Sequence, residues 1–152
     1  MLAASIQIAG MACILIASIF SLALGDCAVR RATIASMGAL VASLLLQNRH
    51  AAFQPQVFVV DVVLLAVLAA MATATRRGWA IAAAAFQLLV IATHVAFLIQ
   101  PLPRPVYLTA LAMWAYFVVA AIAVGAALHL RTRFAAWSAR HGKPRHRNAD
   151  DL

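Results

Sequence analysis

VFVVDVVLLAVLAAMATAT (57–75), then Arg76-Arg77-Gly78, then WAIAAAAFQLLVIATHVAFLI (79–99) is the stretch whose reading decides the fold. Each apolar run is about the length at which a helix crosses a hydrocarbon core of about 30 Å, and the basic turn between them is too short for anything but an antiparallel hairpin. Each run carries one ionisable side chain, Asp61 in the first and His94 in the second. Positions equally far from the hinge of such a hairpin face each other at one depth. Asp61 lies sixteen residues before Arg77 and His94 seventeen after it, so the two are expected to meet.

Composition places the rest of the chain in the same class. Two-thirds of the residues are apolar (66%), 11% are charged, and the mean hydropathy is +0.95, which excludes an ordinary soluble domain. The apolar residues come as long runs and do not alternate, which argues against a β-barrel. The expected fold is an all-α integral membrane protein with five transmembrane helices at about 2–24, 28–47, 57–75, 79–99 and 106–130, followed by a basic tail at 131–152. Gly25-Asp26, Gln54-Pro55 and the prolines at 101, 103 and 105 separate the spans.

Charge distribution agrees with that count. An external amino terminus puts ten of the twelve Lys and Arg residues on the cytoplasmic side and leaves Arg49 and Arg104 outside, as the positive-inside rule favours. Arg30 and Arg31 would have to snorkel from the first turn of the second span. Residues 1–10 contain no charge, so the first segment reads as a retained helix and not as a signal peptide. Cys13 and Cys27 stand too far apart along the helix for a disulfide and read as packing residues. Small residues at four-residue spacing, Ala35-Ala39-Ser43, Ala66-Ala70-Ala74 and Ala121-Gly125, mark expected close helix contacts.

Polar side chains inside the spans are costly in hydrocarbon and normally face the bundle interior. Gln87 and His94 are seven apart and share a face of the fourth span. Gln7, Ser43, Gln47, Tyr107 and Thr109 fall in the outer halves of their spans, so with Asp61 and His94 they suggest a polar cluster opening outward, with Trp114 and Tyr116 as its floor or wall. Asp61, Gln87, His94, Tyr107 and Trp114 are therefore the ligand- or proton-handling candidates. Protons on an Asp61–His94 pair would belong to the pair. The plainer reading is an interhelical hydrogen bond that fixes the hairpin register, worth roughly 0.6–2 kcal/mol. Arg49 or Arg104 could also reach down to Asp61.

Haem at His94 would want a second axial histidine, and His50 in the loop after the second span is a poor one, so no cofactor is expected. No metal-ligand spacing, hydrolase, phosphate-loop or zincin motif is present, and there is no glutamate, so no enzymatic activity is expected. The tail RTRFAAWSARHGKPRHRNADDL extends the last helix into the interface. There Arg131, Arg133 and Arg140 would meet anionic lipid at the cytoplasmic face while Trp137 dips into the headgroups, and Gly142 and Pro144 end the helix. Topology anchoring accounts for these charges better than nucleic-acid binding does.

The run VVDVVLLAVLAAMATATRRGWAIAAAAFQLLVIATHVAFLI resembles the core of a group of small, uncharacterised multi-pass membrane proteins of alphaproteobacteria. Their recurring features are an Asp opening one span, a basic turn followed by Trp, and a Gln and His seven apart. Here these are Asp61, Arg76-Arg77, Trp79, Gln87 and His94. The resemblance covers about a third of the chain; it implies a bacterial inner membrane and carries over no activity. Three functions are then weighed. The favoured one is a non-enzymatic accessory or interaction subunit, with a membrane-protein partner or a second copy of itself. The alternatives are a small proton-linked carrier using Asp61 and His94, and a haem-bearing redox subunit.

Overall fold

A computed structural model describes residues 2–47, 53–100 and 103–141, the side chains of 2–8 and 141 excepted. Arg49, His50 and the tail beyond His141 lie outside the described residues, as does the side chain of Gln7. The described chain is all helical, with α1 Leu2–Leu24, α2 Cys27–Leu46, α3 Pro55–Thr75, α4 Gly78–Ile99 and α5 Arg104–His141. Helices α2 to α5 are each long and apolar enough to cross a membrane, while the described apolar part of α1, Ala9–Leu24, is shorter.

Local chemistry sets the helix ends. Asp26 accepts the Val29 N–H at 3.0 Å as the N-cap of α2, so that helix starts at Cys27, one residue before the expected boundary. Pro55 opens α3 at a position where its missing N–H costs nothing, two residues ahead of the hydropathy boundary. At the hairpin Arg76 takes the left-handed conformation, φ 51°, and its N–H closes on the Ala72 carbonyl. Arg77 then reverts to extended backbone and α4 begins. The hinge is thus two residues long.

The five helices pack in a ring, α1 against α2, α2 against α3, and so on round to α5 against α1, with α2 also touching α5 across the middle. α4 presents a single buried stripe, Trp79, Ala83, Gln87, Val90, His94 and Phe97, at the three- and four-residue steps that keep side chains on one helix face. At the hairpin end this stripe enters an apolar core with Val29 of α2, Leu64 and Leu68 of α3, and Val118 and Ile122 of α5. A Cβ on Gly125 would stand 2.7 Å from the Trp79 ring, so α5 meets the indole only because residue 125 has no side chain. Large apolar residues such as Ile16, Ile19, Val59, Val63, Leu88 and Val124 point outward, as in a protein whose solvent is lipid.

Two expectations about packing are corrected. Ala66, Ala70 and Ala74 are exposed; α3 instead packs through Leu64 and Leu68, because that face also carries Asp61 inward. Cys13 and Cys27 are both exposed free thiols and not packing residues, since α1 turns Ser18 and Ser21, and α2 turns Val29, toward the bundle. The Ala121–Gly125 pair does lie buried against the core.

One end of the bundle gathers charge. The Arg77 guanidinium pairs with the Asp26 carboxylate, tying the α1–α2 turn to the α3–α4 turn, while Arg30 reaches back to the Ala23 carbonyl. Burial pulls the Asp26 pKa upward, but the Val29 N–H, Arg77 and His129 together outweigh it and hold the carboxyl below its ordinary value.

Candidate functional site

The opposite half of the bundle holds the polar cluster. Asp61 stands on the second turn of α3, Gln87 and His94 on the buried stripe of α4, and Tyr107 on the first turn of α5 just after the proline-rich break. Their contacts form one directed chain. The Tyr107 hydroxyl lies 2.6 Å from His94 Nδ1, and His94 Nε2 lies 3.0 Å from Asp61 Oδ2. Gln87 donates from Nε2 to Asp61 Oδ1 at 3.1 Å and to the Asp61 main-chain carbonyl at 3.2 Å. With neutral imidazole, Tyr107 O–H donates to Nδ1 and Nε2–H donates to the carboxylate, so every donor points down the chain toward Asp61. That tautomer is assigned from the network.

Burial differs sharply along the chain. His94, Tyr107 and Gln87 have almost no exposed surface, whereas the Asp61 side chain keeps 16%. Aromatic rings wall the imidazole: Phe58 meets it edge-on at 5.3 Å between centroids, Phe53 at 6.2 Å, and Phe97 packs on Tyr107 at 4.3 Å. These rings exclude water from His94 on the side away from Asp61 and hold its plane. The exposed edge of Asp61 opens into a cavity of about 190 Å³ between α2, α3, α4 and α5, also bordered by Ile14 of α1. Its wall is apolar, with Leu40, Val57, Leu111 and Ala115 prominent, and its polar groups are Asp61, Gln87, Ser36 and Ser43. A second cavity of about 160 Å³ adjoins it along Leu40, Ser43, Val57 and Leu111 and reaches Gln47, Gln54 and Tyr107. Together they make a cleft with one acid in its wall.

Four of the five residues singled out in the spans therefore come together: Asp61, Gln87, His94 and Tyr107. Trp114 does not join them. It lies two turns along α5 from Tyr107 and packs on Phe117, which stacks with Phe86 at 5.2 Å in the outer α4–α5 groove, while Leu111, Ala115 and Val118 take the cavity face. Tyr116 is likewise elsewhere, its hydroxyl so close to Gly10 of α1 that a Cβ there would collide with it. Thr109 bonds the Pro105 carbonyl within its own helix. Among the described residues Asp61 has His94 and Gln87 as its partners; Arg49 lies outside them.

Several members of the site were not foreseen. Phe58 is three residues before Asp61 and Phe97 three after His94, a helical-neighbour spacing that carries the signal. Gln54, buried at the N-cap of α3, lines the second cavity, and no sequence pattern separates it from a loop glutamine. As for haem, both His94 ring nitrogens already hold hydrogen bonds and the site has no second histidine among the described residues, so the arrangement does not fit an axial ligand.

At the far end of α5, Arg131, Arg133, Trp137 and Arg140 lie on an exposed extension of the helix. Arg133, Phe134 and Trp137 share a shallow groove with Leu130, and Arg131 lies on another face.

No family model, curated protein or solved structure matches this chain.

Proposed function

We propose that the chain is a small, non-enzymatic carrier or binding protein of the bacterial inner membrane, in which Asp61 takes up and releases a proton beside a binding cleft and His94 and Tyr107 back that carboxylate. The observation that carries this reading is the division of Asp61 between two environments. One oxygen faces a fully buried imidazole and the same side chain opens to the cleft. A bond made only to fix the hairpin register needs no cavity at the acid. A carboxylate in hydrocarbon must be balanced by a proton or a cation, which makes its occupancy a natural coupling variable.

The membrane arrangement belongs to the same proposal: five spans including α1, amino terminus outside, tail in the cytoplasm. It rests on the distribution of Lys and Arg, and the Asp26–Arg77 pair fits it by joining two turns that this topology puts on one side. The resemblance of the hairpin to alphaproteobacterial membrane proteins supports the inner membrane as the location.

Dicyclohexylcarbodiimide reacts with protonated carboxyl groups in apolar surroundings, and Asp61 is the one acidic residue inside the spans. With the protein in nanodiscs, the reagent should add to Asp61, located by peptide mass, faster at low pH and not at all in Asp61→Asn. Absence of labelling across the pH range would remove the proposal. The accessory-subunit reading keeps one observation in its favour, since five helices without an internal repeat make a poor alternating-access machine unless two copies pair. Native mass spectrometry from the source membrane separates the two, a stoichiometric foreign chain favouring the subunit and a homo-oligomer the carrier.

A further inference from the structure

We infer that the cleft binds a lipophilic amine: a compact apolar molecule with a single protonated nitrogen, seated with its cation on the Asp61 carboxylate and its hydrocarbon body against Leu40, Val57, Leu111 and Ala115. This rests on the proposed proton-handling role of Asp61 and names what competes with the proton.

Shape and polarity of the cleft select the class. It is lined by α2, α3, α4 and α5 with Ile14 of α1 at its border, offers about 190 Å³ beside Asp61 and about 160 Å³ in the adjoining chamber, and is apolar along most of its wall. Sites of this kind bury the body of a ligand against hydrocarbon and orient it with a few polar groups. The polar groups beside Asp61 are Gln87, Ser36 and Ser43, the adjoining chamber adds Gln47, Gln54 and Tyr107, and among the described residues no Lys or Arg lines either chamber. A carboxylate or phosphate ligand would therefore face the Asp61 carboxylate with no cationic side chain among the described lining to offset the repulsion, whereas an ammonium finds a charged acceptor. The two partners of Asp61 leave room for that role. Gln87 is neutral, and His94 carries charge only when protonated, so neither is a fixed counter-ion.

The groups facing Asp61 from each neighbouring helix complete the account. The polar groups that α2 gives the chamber are Ser36 and Ser43, α4 sets Gln87 and His94 against Asp61, and Tyr107 of α5 acts through His94. Binding then balances as an exchange: the ammonium pairs with the carboxylate, and the proton that neutralised Asp61 leaves for water. One site holds a proton or a cation, never both, which links the two without a moving part beyond access to the cleft.

Carbodiimide labelling tests this directly, with N,N-dimethylhexylamine as the probe because a tertiary amine cannot be coupled by the reagent. In nanodiscs of neutral lipid the amine, at about ten times its Kd, should slow Asp61 labelling about tenfold. Its carbon isostere 2-methyloctane and the anion octanoate, at equal mole fraction in the lipid, should leave the rate unchanged. Ala115→Phe, which narrows the chamber from α5, should bring the ratio of labelling rates without and with the amine down toward one, each variant being compared with its own amine-free rate; Leu40→Phe repeats the test from α2. Labelling that the amine does not slow, or that 2-methyloctane slows equally, overturns the lipophilic-amine assignment and leaves the proton-handling role intact. No labelling at all removes both.

Discussion

His94 has two ring nitrogens and the fold occupies both, which makes it the most exacting residue in the chain. Replacing it by Ala would leave Asp61 Oδ2 and the Tyr107 hydroxyl facing a void; the expected loss is about 2–4 kcal/mol, read by reversible unfolding in nanodiscs. Tyr107→Phe removes one hydroxyl from the end of the chain and keeps the ring on Phe97, so about 1 kcal/mol should be lost. Equal losses in the two variants would mean that the imidazole contributes no more than its bond to Tyr107. Asp26 gives the pH prediction. Its folded-state pKa is depressed, so its contribution is present above the unfolded value of about 3.9 and disappears as pH falls through the folded one. Thermal unfolding of Asp26→Asn should accordingly show a shallower acid limb than the parent protein, the two curves converging at the lowest pH.

At the level of helices, Gly125 is the tightest requirement. Gly125→Ala pushes a methyl into the Trp79 ring and should cost about 1–3 kcal/mol, and a Gly125→Ala/Trp79→Leu double variant should recover part of it, since the smaller side chain can retreat. Helix pairing also decides what was legible from residue order. The Asp61–His94 contact follows from counting outward from a two-residue hinge, because an antiparallel hairpin has no freedom to slide once its turn is that short. Gln87 follows by heptad spacing on the same helix, and Tyr107 by its depth in the last span. Trp114 does not follow, because depth alone says nothing of helix rotation; a side chain at the right level can face the outer groove. The alanine stripe of α3 fails for a related reason. In a chain this rich in Ala, four-residue repeats occur on every face, and only the costly residue Asp61 marks which face turns inward. The Asp26–Arg77 pair joins turns fifty-one residues apart in sequence, which no local pattern reports.

Taken whole, the molecule is two-ended, with an ion pair and basic side chains at the hairpin end and an aromatic-walled acid at the other. The proposed topology assigns the first to the cytoplasm. In a cysteine-less background, Gln100→Cys in intact cells should react with a membrane-impermeant maleimide and Ser138→Cys should react only after the inner membrane is opened; the reverse pattern would invert the assignment. The tail helix also has a mechanical consequence. α5 runs for 38 residues without a break, about 57 Å against a hydrocarbon core of about 30 Å. Tyr107, at one tip of that rod, touches the imidazole, and Trp137 rides near the other. With Gly125 seated on the Trp79 ring as fulcrum, the rod has about 27 Å on the Tyr107 side and about 18 Å on the Trp137 side. A tilt that loosens the hydroxyl from His94 therefore reaches the tail as an opposite swing about two-thirds as large, and the tail is the short arm of a balance.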